Sequence, residues 1–192
     1  MPPTVDLSRF DNSWYRPGRP FWVQSLWFFL GQPLLRASLN PSSSLRRALL
    51  RLFGAHVGRG VVIKPGVRVK YPWLLRVGDY AWIGEDAWID NLALVSIGAN
   101  ACISQAAYLC TGNHDWSDLH FALKLGPIDI GDGAWVGARA VICPGTKLSE
   151  GAVASAGSVA SGELQPNGIY AGNPATLLRH RQLRSTGTIT PR

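Results

Sequence analysis

The chain has 192 residues, 46% of them hydrophobic and 16% charged, enough to build one folded domain with extensions and enough to exclude disorder as the default state. The net charge of +7 sits in the flanks: residues 1–53 hold seven Arg against two Asp, residues 54–165 hold eight basic against ten acidic side chains, and residues 166–192 hold four Arg and no acid. A nucleic-acid binder carries its basic stripe on the folded body, and this body is mildly acidic, so no nucleic-acid partner is expected.

Residues 1–53 read as an amphipathic helical extension. Arg9, Asp11, Arg16 and Arg19 precede the first apolar run and no clean cleavage site follows it, so no secretory leader is expected. The run over 21–30, FWVQSLWFFL, is about half the length a membrane-spanning helix needs. Gly31, Gln32, Pro33 and Arg36 then break it. Ser42, Ser43 and Ser44 can cap a second helix, with Leu45, Leu49, Leu50 and Phe53 at helical spacing. Two short helices over 20–53 result. They either pack on the main domain or lie in a membrane interface, with aromatics at headgroup level and Arg46, Arg47 and Arg51 facing anionic lipid.

From residue 57 an aliphatic side chain recurs every six positions: Val57, Ile63, Val69; Val77, Ile83, Ile89; Ile97, Ile103, Leu109; Ile130, Val136, Ile142; Leu148, Ala154, Ala160. Small residues such as Ala81, Ala101, Ala134 and Ala152 stand four places later. Three hexads close one triangular coil, so the spacing predicts an all-β core, a parallel β-helix of about five coils over residues 54–165. Glycines such as Gly78, Gly98, Gly131 and Gly137 follow the aliphatic residue, where a corner leaves little room. Two steps are two residues longer than the rest, and one is a long loop over 111–129. Trp82, Trp88 and Trp135 precede inward residues, so they point outward and suggest a covered face. Cys102, Cys110 and Cys143 form no CxxC pair and read as reduced packing thiols of a cytoplasmic protein. Residues 166–192 read as a basic C-terminal tail.

The hexads resemble those of the hexapeptide-repeat acyltransferases. The run ISQAAYLCTGNHDWSDLHF, the later IGDGAWVGARAVICPGTKL and AGNPA, and RRALLRLFGAHVG before the first coil are similar to the colanic acid biosynthesis acetyltransferases. That resemblance implies a left-handed coil, a homotrimer, acetyl-CoA bound along a groove between subunits, and O-acetylation of a sugar or glycan hydroxyl. The rival activities are N-acetylation of serine or an amine on the same fold, a zinc-dependent hydratase, or a non-catalytic assembly module.

Acyl transfer from a thioester to a hydroxyl needs a base of near-neutral pKa, and His114 sits in the only cluster of reactive side chains, TGNHDWSDLH. It matches the family's histidine motif and is the expected catalytic base. Around it, Asn113, Asp115 and Trp116 are candidate acceptor contacts. Asp90 and Asn91, at a corner one coil earlier, either line the same groove or simply make a turn. Gly137, Ala138, Ser155, Ala156, Asn173 and Pro174 offer small residues and backbone beside which a pantetheine arm fits, and Arg179 is suited to its phosphates. No metal is expected, because the coils before the loop offer no third histidine until His56. The flanking Arg and aromatics point to peripheral contact with the inner face of the cytoplasmic membrane.

Overall fold

A computed structural model describes residues 4–38 and 42–184; residues 185–192 of the segment read as a tail lie outside the described residues. The aliphatic members of the hexads all point to the axis and are buried, from Val57 and Ile63 to Ala154 and Ala160. Each fully buried Ile, Leu or Val contributes about 1.5–3 kcal/mol. Because each hexad supplies one inward residue, the strands from His56–Val57 to Glu163–Leu164 are only two or three residues long and stack in three parallel sheets. The first sheet runs from His56–Val57 to Glu163–Leu164, the second from Val62–Ile63 to Gly168–Gly172, and the third from Arg68–Val69 to Val159–Ala160. Hexads stack in register, as in Val57 on Val77, Ile63 on Ile83 and Val69 on Ile89.

The first sheet has six rungs, so the coil makes about six turns, one more than the five repeat sets indicate. The sixth rung ends in Gly168–Gly172, which folds back antiparallel on Ala175–His180. Where the step between sets is lengthened, the strands Leu75–Val77, Val95–Ile97 and Ile128–Ile130 each bury two residues instead of one. Gly137 shows why a corner demands glycine: a Cβ there would stand 2.5 Å from the Ala156 backbone nitrogen of the rung above.

The first coil leaves a row of backbone carbonyls open at its edge, and the helical extension covers them. Helix Ser43–Leu52, N-capped by the Ser42 side chain, turns its arginines onto this edge. Arg47 donates to the Val61 carbonyl, Arg51 to those of Val57 and Gly58, and buried Arg46 to those of Leu35, Ala37 and Ile63. Of the two alternatives for Arg46, Arg47 and Arg51, packing on the main domain is the one this helix adopts, and the lipid-facing one is set aside for these three side chains. Their guanidinium groups are held by protein carbonyls.

The other helix runs from Phe21–Leu26 through a π turn at Trp27–Gly31 to Gln32–Arg36. Pro33 lacks the N–H that a regular helix would give to the preceding turn, and the π turn lies just before it. Trp27 is buried and its indole N–H caps the Val69 carbonyl at 2.9 Å. Gly31 makes room for it, since a Cβ there would fall 2.3 Å from the indole. The opposite side of this helix is open, with Phe21 82% and Phe29 75% exposed. Among the described residues no helix is long and apolar enough to cross a membrane.

Residues 6–17 run as a strap along the third corner, from the long loop to the first rung. The Asp6 N–H donates to the Leu119 carbonyl, the Tyr15 hydroxyl to that of Leu92, and the Trp73 indole N–H to that of Pro17. Nothing periodic in the sequence announces this strap.

Candidate active site

The loop over 111–129 leaves the third corner of the third coil and is anchored at its root. Buried Thr111 accepts from the Ala93 N–H and donates to the Asp90 carbonyl, stapling the loop to the rung below. Beyond it Gly112–His114 pairs antiparallel with Leu123–Leu125, with His114 opposite Leu123. Asp115 closes the hairpin tip. Its carboxylate accepts from the Ser117 N–H and hydroxyl and pairs with Lys124 at 2.8 Å. Lys124 first, then Ser117, holds the Asp115 carboxyl well below the usual carboxylate range.

His114 is fixed by three contacts. Its Nδ1 lies 2.8 Å from the Phe121 carbonyl oxygen, and the ring stacks on the Phe121 ring at 4.3 Å between centroids and 7° between planes. A carbonyl oxygen only accepts, so Nδ1 carries the proton and Nε2 keeps its lone pair. Phe10 from the strap packs against the imidazole at 5.5 Å, and sequence reasoning missed it. A lone Phe in an aperiodic stretch carries no signal of its own. Beside the imidazole opens a cavity of about 450 Å³ lined by Asn113, Asp115, Trp116, Lys124, Pro144 and Gly145 among others. Trp116 stands 79% exposed at this cavity.

The remaining candidates separate. Asn113 and Trp116 share the cavity with His114, and Asn113 Oδ1 accepts from the His114 backbone N–H at 2.8 Å. Asp115 lines it too, with its carboxylate committed to Ser117 and Lys124. Asn91 does not line it. Fully buried, it accepts from the Tyr71 N–H and donates to the carbonyls of Tyr71 and Leu74, which is the turn-forming alternative of the two. Asp90 faces a different cleft, where its carboxylate pairs with Lys70 at 3.2 Å and accepts from the Tyr108 hydroxyl.

Gly137, Ala138, Ser155 and Ala156 stack at the second corner, where the Ser155 N–H donates to Tyr170 and the Gly157 N–H to Ala138. Asn173 and Pro174 form the exposed tip of the hairpin that follows, and exposed Arg179 lies opposite Ile169 on its return strand. Gly137, Ala138, Ser155 and Ala156 share one corner column of the prism, Asn173, Pro174 and Arg179 belong to the hairpin above it, and His114 leaves a different corner. Trp82 and Trp135 lie on the second sheet, both about half exposed, with the Trp135 indole N–H on the Ser104 hydroxyl. Trp88 lies on the third sheet, so the three indoles do not share a face. Cys110 donates to the Gly112 carbonyl, and burial first, then Cys110, pushes the Cys143 thiol up, which unsuits Cys143 to nucleophilic work. Among the described residues no group of three or more His, Cys, Asp or Glu side chains is gathered for a metal.

No family profile matches the chain. Among curated proteins, it is 40% identical over 177 residues to "Putative colanic acid biosynthesis acetyltransferase WcaF" of Escherichia coli K12, covering 92% of this chain and 97% of that one. It is 28% identical over 140 residues to the galactoside O-acetyltransferase of the same organism, covering 70% of this chain and 68% of that one. Among solved structures, a hexapeptide-repeat acetyltransferase from Vibrio cholerae complexed with acetyl-CoA superposes with a TM-score of 0.76 at 25% identity, over 83% of this chain and 87% of that one. A maltose O-acetyltransferase from Clostridium difficile superposes at 0.72 and 23% identity, over 84% and 86%. Superposition of this quality requires the same hand of coil, which is left-handed. The chain belongs to the hexapeptide-repeat acetyltransferases, in the group of the colanic acid biosynthesis protein WcaF.

Proposed function

We propose that this acyltransferase moves an acetyl group from acetyl-CoA to a hydroxyl of a sugar or glycan acceptor, with His114 as general base. The observation that carries the reading is the Nδ1 contact to the Phe121 carbonyl, which leaves Nε2 as the acceptor nitrogen of a histidine that lines the cavity. Nε2 takes the hydroxyl proton as that oxygen bonds to the thioester carbonyl carbon. The carbon–sulfur bond then breaks, and the imidazolium returns its proton to the departing thiolate, so the base is regenerated. Sugar acceptors are supported by the names of the related galactoside and maltose O-acetyltransferases.

The second corner is the proposed seat of the pantetheine arm. At the first corner the backbone N–H groups of Arg59 and Ala99 donate to Asp79 and Asp132. The equivalent groups of Ala138 and Ala156 have no hydrogen-bond partner among the described residues, which suits them to amide carbonyls of the donor. Asn173, Pro174 and Arg179 continue that surface toward its phosphates. Since this corner and His114 occupy different corners of one prism, the reading puts each site between two copies of a homotrimer. The same reading places the enzyme in the cytoplasm, with the exposed aromatic helix face touching the inner face of the membrane.

The test is CoA release by the full chain with acetyl-CoA and a panel of free sugars, nucleotide-sugars and glycosides. Transfer to a hydroxyl that is lost in His114→Ala supports the reading, and transfer to amines alone overturns the O-acetyl assignment.

A further inference from the structure

The strap carries the pattern Asp-x-Ser twice, at Asp6 to Ser8 and Asp11 to Ser13, on either side of Phe10. An Asp that accepts from the backbone two places on bends the chain locally, and both do so. Asp6 Oδ1 accepts from the Ser8 N–H at 3.1 Å and from its hydroxyl at 2.6 Å. This starts the 3-10 turn Leu7–Arg9, which the Phe10 N–H closes on the Leu7 carbonyl. Asp11 accepts from Ser13 in the same way, at 2.7 Å from the N–H. Over residues 4–14 every side chain but Phe10 is exposed, so what the two turns set is the direction of that one ring.

The strap is tied to the histidine loop at both ends. Its start reaches the tip, where the Asp6 N–H donates to the Leu119 carbonyl at 2.9 Å. Its end reaches the root, where the Tyr15 hydroxyl donates to the Leu92 carbonyl at 2.7 Å. Leu92 lies against Gly112, on which a Cβ would fall 2.7 Å from the leucine side chain. Burial first, then Tyr71 and Asp90, raises the Tyr15 pKa and keeps the hydroxyl a donor. Between these ties the Phe10 ring meets the imidazole of His114 at 5.5 Å and 59°, while Phe121 stacks on it at 7°. A single stacked ring lets the imidazole slide or tip away, and a second ring at a steep tilt blocks that motion. Phe10 is not among the residues that line the cavity, so it acts through His114 and not on a ligand.

We propose that Phe10 is a positioning residue for acetyl transfer. Clasped to the tip and the root of the loop, the strap holds Phe10 on the imidazole and so keeps Nδ1–H on the Phe121 carbonyl. Nε2 thereby stays the acceptor nitrogen. The inference rests on the reading of His114 as general base and deepens it, making the strap part of what supports the base. Displacing a reacting group by about 1 Å can cost ~10²-fold in rate, so removing one of the restraints on His114 is expected to cost about tenfold.

The experiment follows acetyl transfer, melting and the imidazole nitrogen-15 signals of the full chain in the parent, Phe10→Ala and Phe10→Leu. Phe10→Ala should lower kcat about tenfold. The acceptor KM and the melting temperature should hold, since Phe10 lies outside both the cavity lining and the buried core. Phe10→Leu, which keeps apolar bulk, should recover most of the loss. In alkaline buffer, where imidazoles are neutral, the parent should show His114 protonated at Nδ1, its signals assigned by their absence in His114→Ala. In Phe10→Ala both ring nitrogens should drift toward the averaged values of a free imidazole. A change in acceptor KM alone, a loss of kcat matched by a loss of melting temperature, or an unchanged nitrogen spectrum beside a lowered kcat would overturn the proposal. Transfer that needs His114 but is parental in Phe10→Ala overturns the positioning role alone. Transfer that persists in His114→Ala overturns the base assignment and this inference together.

Discussion

Phe121 holds His114 twice: its carbonyl oxygen accepts a hydrogen bond from Nδ1–H at 2.8 Å and its ring stacks on the imidazole at 4.3 Å. Backbone and side chain of one residue thereby set both the tautomer and the ring plane. Phe121 itself adopts a left-handed backbone at φ 53, a conformation uncommon for a bulky side chain, so the hairpin imposes this geometry. Phe10 from the strap packs against the same imidazole and helps to hold its plane.

Asn91→Ala should destabilise the fold and leave acceptor recognition alone. Its amide makes three hydrogen bonds to the backbone of the corner below while fully buried. Leaving those groups unpaired costs about 2–3 kcal/mol. Urea unfolding checks the loss, and an unchanged KM for the acceptor separates the turn role from a substrate contact.

Arg46→Met should unfold the cap before the coil. Arg46 is buried against the carbonyls of Leu35, Ala37 and Ile63, and burial lowers its pKa from the ordinary value. Removing the donor leaves carbonyls exposed to an apolar side chain, a loss of about 2–4 kcal/mol. Hydrogen exchange should then show early opening of helix Ser43–Leu52, with the upper rungs still protected.

Acid should spare the histidine loop longer than an ordinary carboxylate would. The Asp115 pKa is depressed in the folded chain, mainly by Lys124 and Ser117, so the stability it contributes is complete above its unfolded value near pH 4. That contribution is lost only as pH falls through the lower folded value. Loop amide shifts followed by NMR from pH 7 to 3 should stay constant in the parent across pH 4. In Asp115→Asn the loop shifts should already differ at neutral pH.

Shared sites predict complementation. His114→Ala and a variant with the second corner blocked, Ala156→Trp, should each be inactive alone. Mixed through mild dissociation and reassembly, they should regain a fraction of parental turnover, because some sites pair an intact loop with an intact corner. Sedimentation should give three times the 20.8 kDa chain mass. Inactive mixtures or a stable monomer would contradict the shared site.

The coil was legible because its geometry is written in side-chain size: an aliphatic residue every sixth place has one destination, the axis. The histidine loop was legible as an interruption of that period. Arg46, Arg47 and Arg51 were not legible in the same way, because a cation beside an apolar run looks alike whether it meets lipid phosphate or a carbonyl edge. The decisive fact is that the first rung has no rung beneath it, and that belongs to the solenoid as a whole. Asp90 and Asn91 are adjacent in sequence, yet one opens onto a cleft and the other turns inward, a difference set by the corner's bend. Phe10 and Tyr15 reach their partners through single long-range contacts, for which no period exists.

The central claim is that Nε2 of His114 takes the acceptor proton. The most direct measurement compares turnover and thermal stability of the parent and His114→Ala with the same hydroxyl acceptor. Turnover should fall at least ~10²-fold, the usual contribution of a general base, while the melting temperature stays put, because His114 lies outside the buried core of the coil. Near-parental acetylation by a folded His114→Ala protein would contradict it.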